Sequence, residues 1–262
     1  MYTFILPSGS EIELREMTGG EEELLTNQRL IRNGDAVNQV LANCVLRIGE
    51  KGEVGTSDVL DMLSGDRLFT LVKLRQVSLG DEVELELVCP NQACRAKNHA
   101  LVNLDGLPVT PYGEEREFVF TLPASGSKVR FVHLDGHKEK RLAQMQEPSI
   151  SAAMMIRILD IDGKAPSKKA LAEMPMRDRS AVRQEMLRVD AGIDTKVEID
   201  CDSCGSRIRT RLEAEPSFYS PEFGCKRRLL PRLRWAALGV CRGRKAAACD
   251  QAGVRRGAGE AA

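Results

Sequence analysis

CPNQAC at residues 89–94 and CDSCG at residues 201–205 are the two segments that decide how this chain folds. Each segment holds two cysteines in a tight loop, and each lies between two strand-like runs. A loop of this kind, called a knuckle below, supplies two thiolates. Two knuckles together supply the four thiolates that suit a tetrahedral zinc ion. The glycine after the second cysteine of 201–205 favours the tight turn that such a loop needs.

The knuckles are part of a longer repeat. An Asp-Arg pair, a glycine and the first knuckle cysteine occur twice at an offset of 112 residues, at Asp66, Arg67, Gly80 and Cys89 and again at Asp178, Arg179, Gly192 and Cys201. In both copies a helix-like stretch precedes the glycine and an alternating strand follows it. FILPSGS at 4–10 and FTLPASGS at 120–127 each read as the start of a β-hairpin. We interpret the recurrence as a duplication rather than as chance similarity.

The predicted fold class is therefore α+β, with two tandem copies of a β-hairpin–helices–knuckle unit. Unit one covers residues 1–105 and unit two covers residues 118–214. Residues 106–117 form a linker rich in proline and glycine. Residues 215–262 form a basic tail that we expect to be disordered.

We predict that one structural zinc ion per chain is held by Cys89, Cys94, Cys201 and Cys204, in a zinc-ribbon-like site that joins the two units. A site of four thiolates has no open position for water, so it cross-links the chain and does not catalyse a reaction. His99 is a candidate third ligand for a separate site in unit one, but unit two has no matching histidine. The alternatives are four reduced thiols, or a redox pair at Cys201 and Cys204. A redox CxxC normally opens a helix, whereas the alternation after Cys204 favours a hairpin.

Several local structures follow from apolar spacing and capping residues. The apolar residues from Val37 to Ile48 recur at helical spacing and predict one amphipathic helix, with Cys44 as a core thiol. Ser64 is a candidate cap for the helix that contains Asp66. A second helix is predicted after Pro148, with apolar positions that reach Ile158.

Composition excludes several classes of protein. Hydrophobic residues make up 42% of the chain and charged residues 29%, which is sufficient for a buried core. No apolar run approaches the length of a membrane span, so we expect no membrane. Residues 225–262 hold 10 Lys and Arg against 2 Asp and Glu, a net charge of +8; since the whole chain has a formal charge of zero, residues 1–224 carry −8. An acidic body argues against nucleic acid as the main partner.

We find no pattern typical of an enzyme. There is no phosphate-binding glycine-rich motif, no metalloprotease motif and no nucleophile elbow. His133 and His137 flank a turn, and we interpret them as residues of a surface loop rather than as a metal-binding pair. We therefore expect no catalysis and no small-molecule substrate.

Five short segments carry a resemblance to a known family: LPSG at 6–9, DVL at 58–60, DRLF at 66–69, LRQVSLG at 74–80 and the cysteines of 89–94. Together they resemble the baseplate hub and hub-assembly proteins of T-even-type contractile-tailed bacteriophages, over most of residues 1–220. The resemblance implies a non-enzymatic structural or assembly protein of the tail baseplate. It implies other tail or baseplate proteins as partners, a place in the host cytoplasm during assembly, and a place in the virion tail. Carried over by position, the implied metal residues are Cys89, Cys94, Cys201 and Cys204.

The C-terminal segment departs from this family pattern. FYSP at 218–221 lies where family members end, and residues 225–262 beyond it contain 8 Arg, 9 Ala and 5 Gly. This composition is typical either of a GC-rich frame translated out of register or of a disordered basic arm. Cys225, Cys241 and Cys249 lack paired spacing and are assigned no metal. An Arg-rich arm also leaves one rival hypothesis, a zinc-ribbon protein that binds nucleic acid through its tail.

Overall fold

The computed structural model describes residues 1–145, 149–212 and 216–219. Helices and antiparallel strands are mixed throughout these residues, which confirms the α+β class. The elements of the first half are β1 Tyr2–Ile5, β2 Glu11–Leu14, α1 Gly19–Thr26, α2 Gln28–Asn33, α3 Ala36–Cys44, β3 Val45–Ile48, β4 Lys51–Gly52, α4 Thr56–Asp61, α5 Ser64–Leu79, β5 Glu82–Val88 and β6 Lys97–Asn103. The strands form one sheet in the order β1-β2-β3-β4 and a separate hairpin β5–β6.

The second half follows a short 3-10 turn at Leu104–Gly106. Its elements are β7 Val109–Thr110, β8 Glu117–Thr121, β9 Lys128–Val132, α6 Gly136–Ala143, α7 Ile150–Arg157, β10 Ile158–Ile161, α8 Lys168–Glu173, α9 Met176–Val189, β11 Gly192–Ile193, β12 Lys196–Asp200, β13 Arg207–Arg211 and α10 Pro216–Tyr219. Here the strands form a sheet in the order β8-β9-β10, a hairpin β12–β13 and a small pair β7–β11. The predicted tail lies outside the described residues apart from α10.

The helix predicted over residues 37–48 is too long. α3 ends at Cys44, and Val45–Ile48 form strand β3, which pairs with β2. An apolar run of this length fits a helical stripe and a short strand equally well, and the pairing of Val45 with Leu14 decides for the strand. Ile158 departs from the prediction in the same way, because it begins β10 rather than continuing α7. The core position of Cys44 is confirmed: its side chain is fully buried, and burial raises the pKa of its thiol to about 12.

The capping role predicted for Ser64 is wrong. Leu63 is the N-cap of α5, and Ser64 is the first helical residue. Its hydroxyl is buried beside the carboxylate of Glu139. Asp66 instead ties the helix start to the first hairpin, because its carboxylate accepts a 2.9 Å hydrogen bond from the backbone N–H of Ser8. Burial raises the pKa of Asp66.

Two hydrophobic cores lie under the two main sheets. The first is centred on α3 and α5 and also includes residues of α10. Phe218 and Tyr219 pack into this core, and Arg75 Nε donates a 3.3 Å hydrogen bond to the carbonyl of Phe218. The second core lies between β8–β10 and helices α7–α9. The described end of the chain is therefore packed against the first half. No helix in the described parts of the chain is long and apolar enough to cross a membrane.

The halves also meet along a close backbone contact. The N–H of Ser64 donates to the carbonyl of Leu134 at 2.9 Å, and the N–H of Gly136 donates to the carbonyl of Met62 at 3.1 Å. A Cβ on Gly136 would lie 2.8 Å from backbone atoms of Leu60, which is closer than real Cβ contacts allow. Glycine is therefore required at residue 136 by close packing between the halves.

Candidate metal centre

The four cysteines of the two knuckles meet at one point. Their sulfur atoms all lie within 4.8 Å of one another, although they come from opposite halves of the chain. The Sγ atoms of Cys89 and Cys204 are 3.6 Å apart, and those of Cys94 and Cys201 are 3.8 Å apart. Each of these close pairs joins one knuckle to the other. The structure thus brings together all four residues that the sequence selects.

Each pair of thiols is presented by the tip of a hairpin. β5 pairs with β6 in front of the first knuckle, and β12 pairs with β13 in front of the second. The N–H of Cys89 donates to the carbonyl of Ala96 at 2.9 Å, and the N–H of Cys201 donates to that of Ser206 at 2.9 Å. These bonds hold the first cysteine of each knuckle in the last rung of its hairpin. The hairpin predicted for Cys201 and Cys204 is confirmed, and neither residue opens a helix as a thioredoxin-like pair does.

The residue after the second cysteine turns the chain in both knuckles. Arg95 has φ 53° and Gly205 has φ 68°, so both occupy the left-handed region. Glycine adopts this region freely, whereas an arginine adopts it at a cost in free energy. The same turn in the two knuckles leaves both cysteines of each loop facing the opposite hairpin.

The site is partly buried and its thiols differ in their environment. Cys89 and Cys201 are buried beside Ile208, while Cys94 is half-buried and Cys204 is exposed. Burial raises the pKa of Cys89 to about 12, whereas hydrogen bonds from Ser206 lower the pKa of Cys204 to about 6. Hydrogen bonding from the backbone of Ser203 likewise lowers the pKa of Cys201. The two thiols of the second knuckle are therefore the more readily ionised, and the thiolate is the form that binds metal.

The sulfur spacing fits a metal and does not fit disulfides. Four sulfurs bonded to one ion at about 2.3 Å in a tetrahedron lie about 3.8 Å from each other. The observed 3.6 and 3.8 Å separations are close to that value. A disulfide requires about 2.05 Å. Four sulfurs that all lie within 4.8 Å of one another form a donor set that suits a soft, tetrahedral ion, with every ligand position supplied by the chain.

Asn98 supports the site and was not singled out from the sequence. Its side chain is 2% exposed and accepts a 2.9 Å hydrogen bond from the N–H of Asp202. Its amide nitrogen donates to the carbonyl of Ala96 at 3.0 Å. Asn98 therefore connects the first hairpin to the backbone of the second knuckle. Only its position four residues after Cys94, facing inward on β6, distinguishes it in the sequence.

We predict that Asn98→Ala weakens metal binding about 10- to 100-fold, as the loss of residues that orient metal ligands typically does. The hairpins keep their ladders, so the chain stays folded when the metal is in excess. Competition with a chromophoric chelator measures the affinity. Asn103→Ala is the matched control, because Asn103 lies at the far end of the same strand, where its side chain accepts from the N–H of Asp105. If Asn98→Ala binds the metal as tightly as the parent, the hydrogen bond between Asn98 and Asp202 makes no contribution to metal affinity.

The three histidines lie elsewhere. His99 is exposed on β6, with Nδ1 3.5 Å from a carboxylate oxygen of Glu84, and it is not in the cysteine cluster. The surface position predicted for His133 is wrong, because its side chain is 4% exposed and packs edge-on against Tyr112 and Phe118. Tyr112 of the linker and Phe118 of β8 cover it, which the turn sequence alone does not reveal. His137 is exposed and bonds to Asp61 at 3.0 Å. Cys225, Cys241 and Cys249 lie outside the described residues.

Comparison with known proteins gives a match to a family model. No curated protein and no solved structure matches the chain significantly. The model of the family described as "T4 bacteriophage base plate protein" matches residues 1–219. This range includes both hairpins, all four clustered cysteines and the described C-terminal helix α10. It confirms the resemblance to T4-type baseplate proteins and leaves out the basic segment at 225–262. The chain belongs to the T4 bacteriophage base plate protein family.

Proposed function

We propose that this chain is a non-enzymatic hub or adaptor component of the phage tail baseplate, whose two halves are clamped by one structural zinc ion. The observation that carries the proposal is the family match over residues 1–219, which spans the four-cysteine cluster. A baseplate family supports a structural role and a place in the virion tail. It also supports association with other tail proteins.

Zinc is the ion that we assign to the cluster. Four thiolates in tetrahedral spacing are typical of structural zinc sites. Such a site leaves no position for water or substrate, which supports a protein that cross-links rather than catalyses. The ion would join residues 107 positions apart, at Cys94 and Cys201, and a link across so long a segment strongly restricts the unfolded chain.

The duplication forms part of the proposal, and matched contacts support it. The carboxylate of Asp178 accepts from the N–H of Ala124 at 2.7 Å, as that of Asp66 accepts from Ser8. Both aspartates therefore hold the first hairpin of their own half against the start of a helix. The sheets β1-β2-β3 and β8-β9-β10 share their strand order, and each has a register shift between its second and third strands.

A second matched contact involves the arginines that follow these aspartates. Arg67 Nη1 donates to the carbonyl of Val59 at 2.7 Å, and Arg179 Nη1 donates to that of Leu171 at 2.8 Å. Both acceptor residues are fully buried and lie eight positions before their arginine. Hydrogen bonds that recur at the same sequence offset are more specific evidence of a duplication than recurring hydrophobic residues, because they require the same local geometry in both halves.

Deleting the gene from the phage that encodes this chain tests the function. We expect lysates with filled or empty heads and without complete contractile tails, as seen by electron microscopy. The parent gene should restore tails and Cys201→Ser should not. Cys249→Ser, which changes a cysteine outside the proposed site, is the matched control and should also restore them.

Two results of the same study contradict the proposal. Normal tails in the deletion strain would exclude a baseplate role. Normal tails together with a salt-dependent affinity of the chain for duplex DNA, lost on deletion of residues 225–262, would favour the nucleic-acid hypothesis, which rests on the +8 charge of that segment.

A further inference from the structure

The contact between the two halves is made by two different surfaces. The helix corner is Met62–Ser64, between α4 and α5. The strand corner is Leu134–Gly136, between β9 and α6. The two hydrogen bonds described above join these corners as a short antiparallel bridge. Since the surfaces differ, the contact is of the head-to-tail kind and leaves one unused corner in each half.

The unused corners follow from the duplication proposed above, on which this inference rests. The counterpart of the helix corner is Met174–Met176, between α8 and α9, and the counterpart of the strand corner is Met17–Gly19, between β2 and α1. Helices α1 and α6 each have 8 residues and begin at Gly19 and Gly136. α4 and α8 each have 6 residues. The pairs therefore match element by element.

Within the described residues the outer positions of both unused corners, Gly19 and Met176, are exposed, while the N–H of Met17 is bonded to Ser78 Oγ at 2.9 Å in its own half. Met176 is 71% exposed, whereas Ser64 at the matching position is bonded to the other half. A Cβ on Gly19 would meet no described atom within 4 Å, in contrast to Gly136. Pro175 does not prevent a bridge, because the internal bridge uses the N–H of Ser64 and the carbonyl of Met62, and not the N–H of Leu63.

The charges beside the corners are complementary in both cases. At the rim of the internal contact, acidic residues on the helix side meet basic ones on the strand side: Asp61 bonds to His137 at 3.0 Å, and Asp35 pairs with Lys140 at 2.7 Å. The buried pair Arg67–Glu139 within the contact has the opposite sense. Beside the unused corners the net charges are reversed. The helix side carries exposed Lys168, Lys169 and Arg177 against one exposed acid, Glu173, and the strand side carries exposed Glu22 and Glu23 on α1. A simultaneous reversal keeps the attraction between the two surfaces.

We propose that copies of this chain associate head to tail, with Met174–Met176 of one copy bound to Met17–Gly19 of the next. The contact between copies is looser than the internal one. A Cβ on Gly65 would lie 2.2 Å from the carbonyl oxygen of Ala191, and the matching residue in the second half is Arg177. The closest backbone approach is therefore not repeated, and the association is reversible and depends on concentration.

Sedimentation of the full-length protein over a concentration series tests this inference. We expect the average mass of the parent to rise with concentration. Met176→Glu places a carboxylate opposite the acidic helix α1, and Gly19→Gln inserts a side chain where the bridge needs a glycine. Each variant alone should raise the dissociation constant at least about tenfold. An equimolar mixture of the two should form dimers that grow no further, because each variant keeps the corner that the other has lost.

The controls use exposed residues away from both corners. Leu187→Glu, later in α9, and Gly113→Gln, in the linker, should associate like the parent. Metal content and circular dichroism of every sample separate this inference from the proposed function. A folded, metal-loaded parent that stays monomeric at its highest soluble concentration would overturn the inference alone. So would variants that associate as strongly as the parent, or a mixture that stays monomeric.

Discussion

Cys201→Ser is expected to release the metal and to lower the melting temperature by roughly 8–16 °C. An ion present at about 1,000 times its Kd stabilises the folded state by about 4 kcal/mol, and each kcal/mol corresponds to about 2–4 °C in a domain of this size. The two large cores remain in the variant, but the hairpins β5–β6 and β12–β13 lose the link between their tips. Elemental analysis and calorimetry on the same sample measure both effects.

Removing the metal from the parent with a chelator is a second way to obtain the metal-free protein. A strong chelator added to the parent should reproduce the melting temperature of Cys201→Ser and should leave that of the variant unchanged. Cys249→Ser should keep its metal and its melting temperature. If Cys201→Ser melts with the parent although it has lost the ion, the clamp contributes nothing to stability.

Arg67→Met is expected to lower the free energy of unfolding by about 3–5 kcal/mol, the usual cost of removing one partner from a buried ion pair. Arg67 is 2% exposed, and its Nε donates to a carboxylate oxygen of Glu139 at 2.8 Å across the contact between the halves. Its Nη2 donates to the side chain of Asn38 at 2.6 Å. Methionine fills similar volume but leaves Glu139 and Asn38 without this donor. Urea unfolding followed by circular dichroism measures the loss.

The pH dependence of this variant has a definite sign. Burial raises the pKa of Glu139, and loss of the arginine removes the charge that opposes this shift. A carboxyl with a raised pKa in the folded state binds more protons there than in the unfolded chain, so stability falls as pH rises. The loss of unfolding free energy caused by Arg67→Met should therefore be larger at about pH 8 than at about pH 5.

Two further variants check the assignment. Arg67→Met combined with Glu139→Gln should recover part of the loss, because no unpaired charge is then buried. Arg188→Met, which removes an exposed arginine paired with Glu185 on α9, should change stability little. A deficit in Arg67→Met that is independent of pH and is not reduced by Glu139→Gln would argue that lost packing, rather than the unpaired carboxylate, causes it.

The cysteine spacing predicts the meeting of the four thiols because each knuckle is a local structure. Two cysteines a few residues apart between strands have few arrangements, and two such knuckles in one chain suggest a shared site. The family resemblance follows from similarly local motifs. Asn98 escapes this reasoning, since its partner Asp202 is 104 residues away and nothing near Asn98 indicates that contact.

The predictions of element boundaries and of side-chain burial fail for a related reason. The apolar residues after Cys44 satisfy helical spacing, and only the sheet partner Leu14 turns them into a strand. His133 reads as a loop residue because the aromatic rings that cover it come from Tyr112 and Phe118, which lie well before it in the chain. Serine is a residue type that often caps helices, but the backbone N–H of Ser64 donates a hydrogen bond to Leu134 in the other half of the chain. In each case a distant contact overrides a local preference.

X-ray absorption at the metal edge of the purified protein tests the central claim most directly. With about one zinc per chain, the account predicts a single shell of four sulfur atoms at about 2.3 Å. A shell that contains nitrogen or oxygen ligands would show that the four cysteines do not hold the ion together. A protein free of metal, with the four cysteines reduced or joined in disulfides, would contradict the clamp altogether.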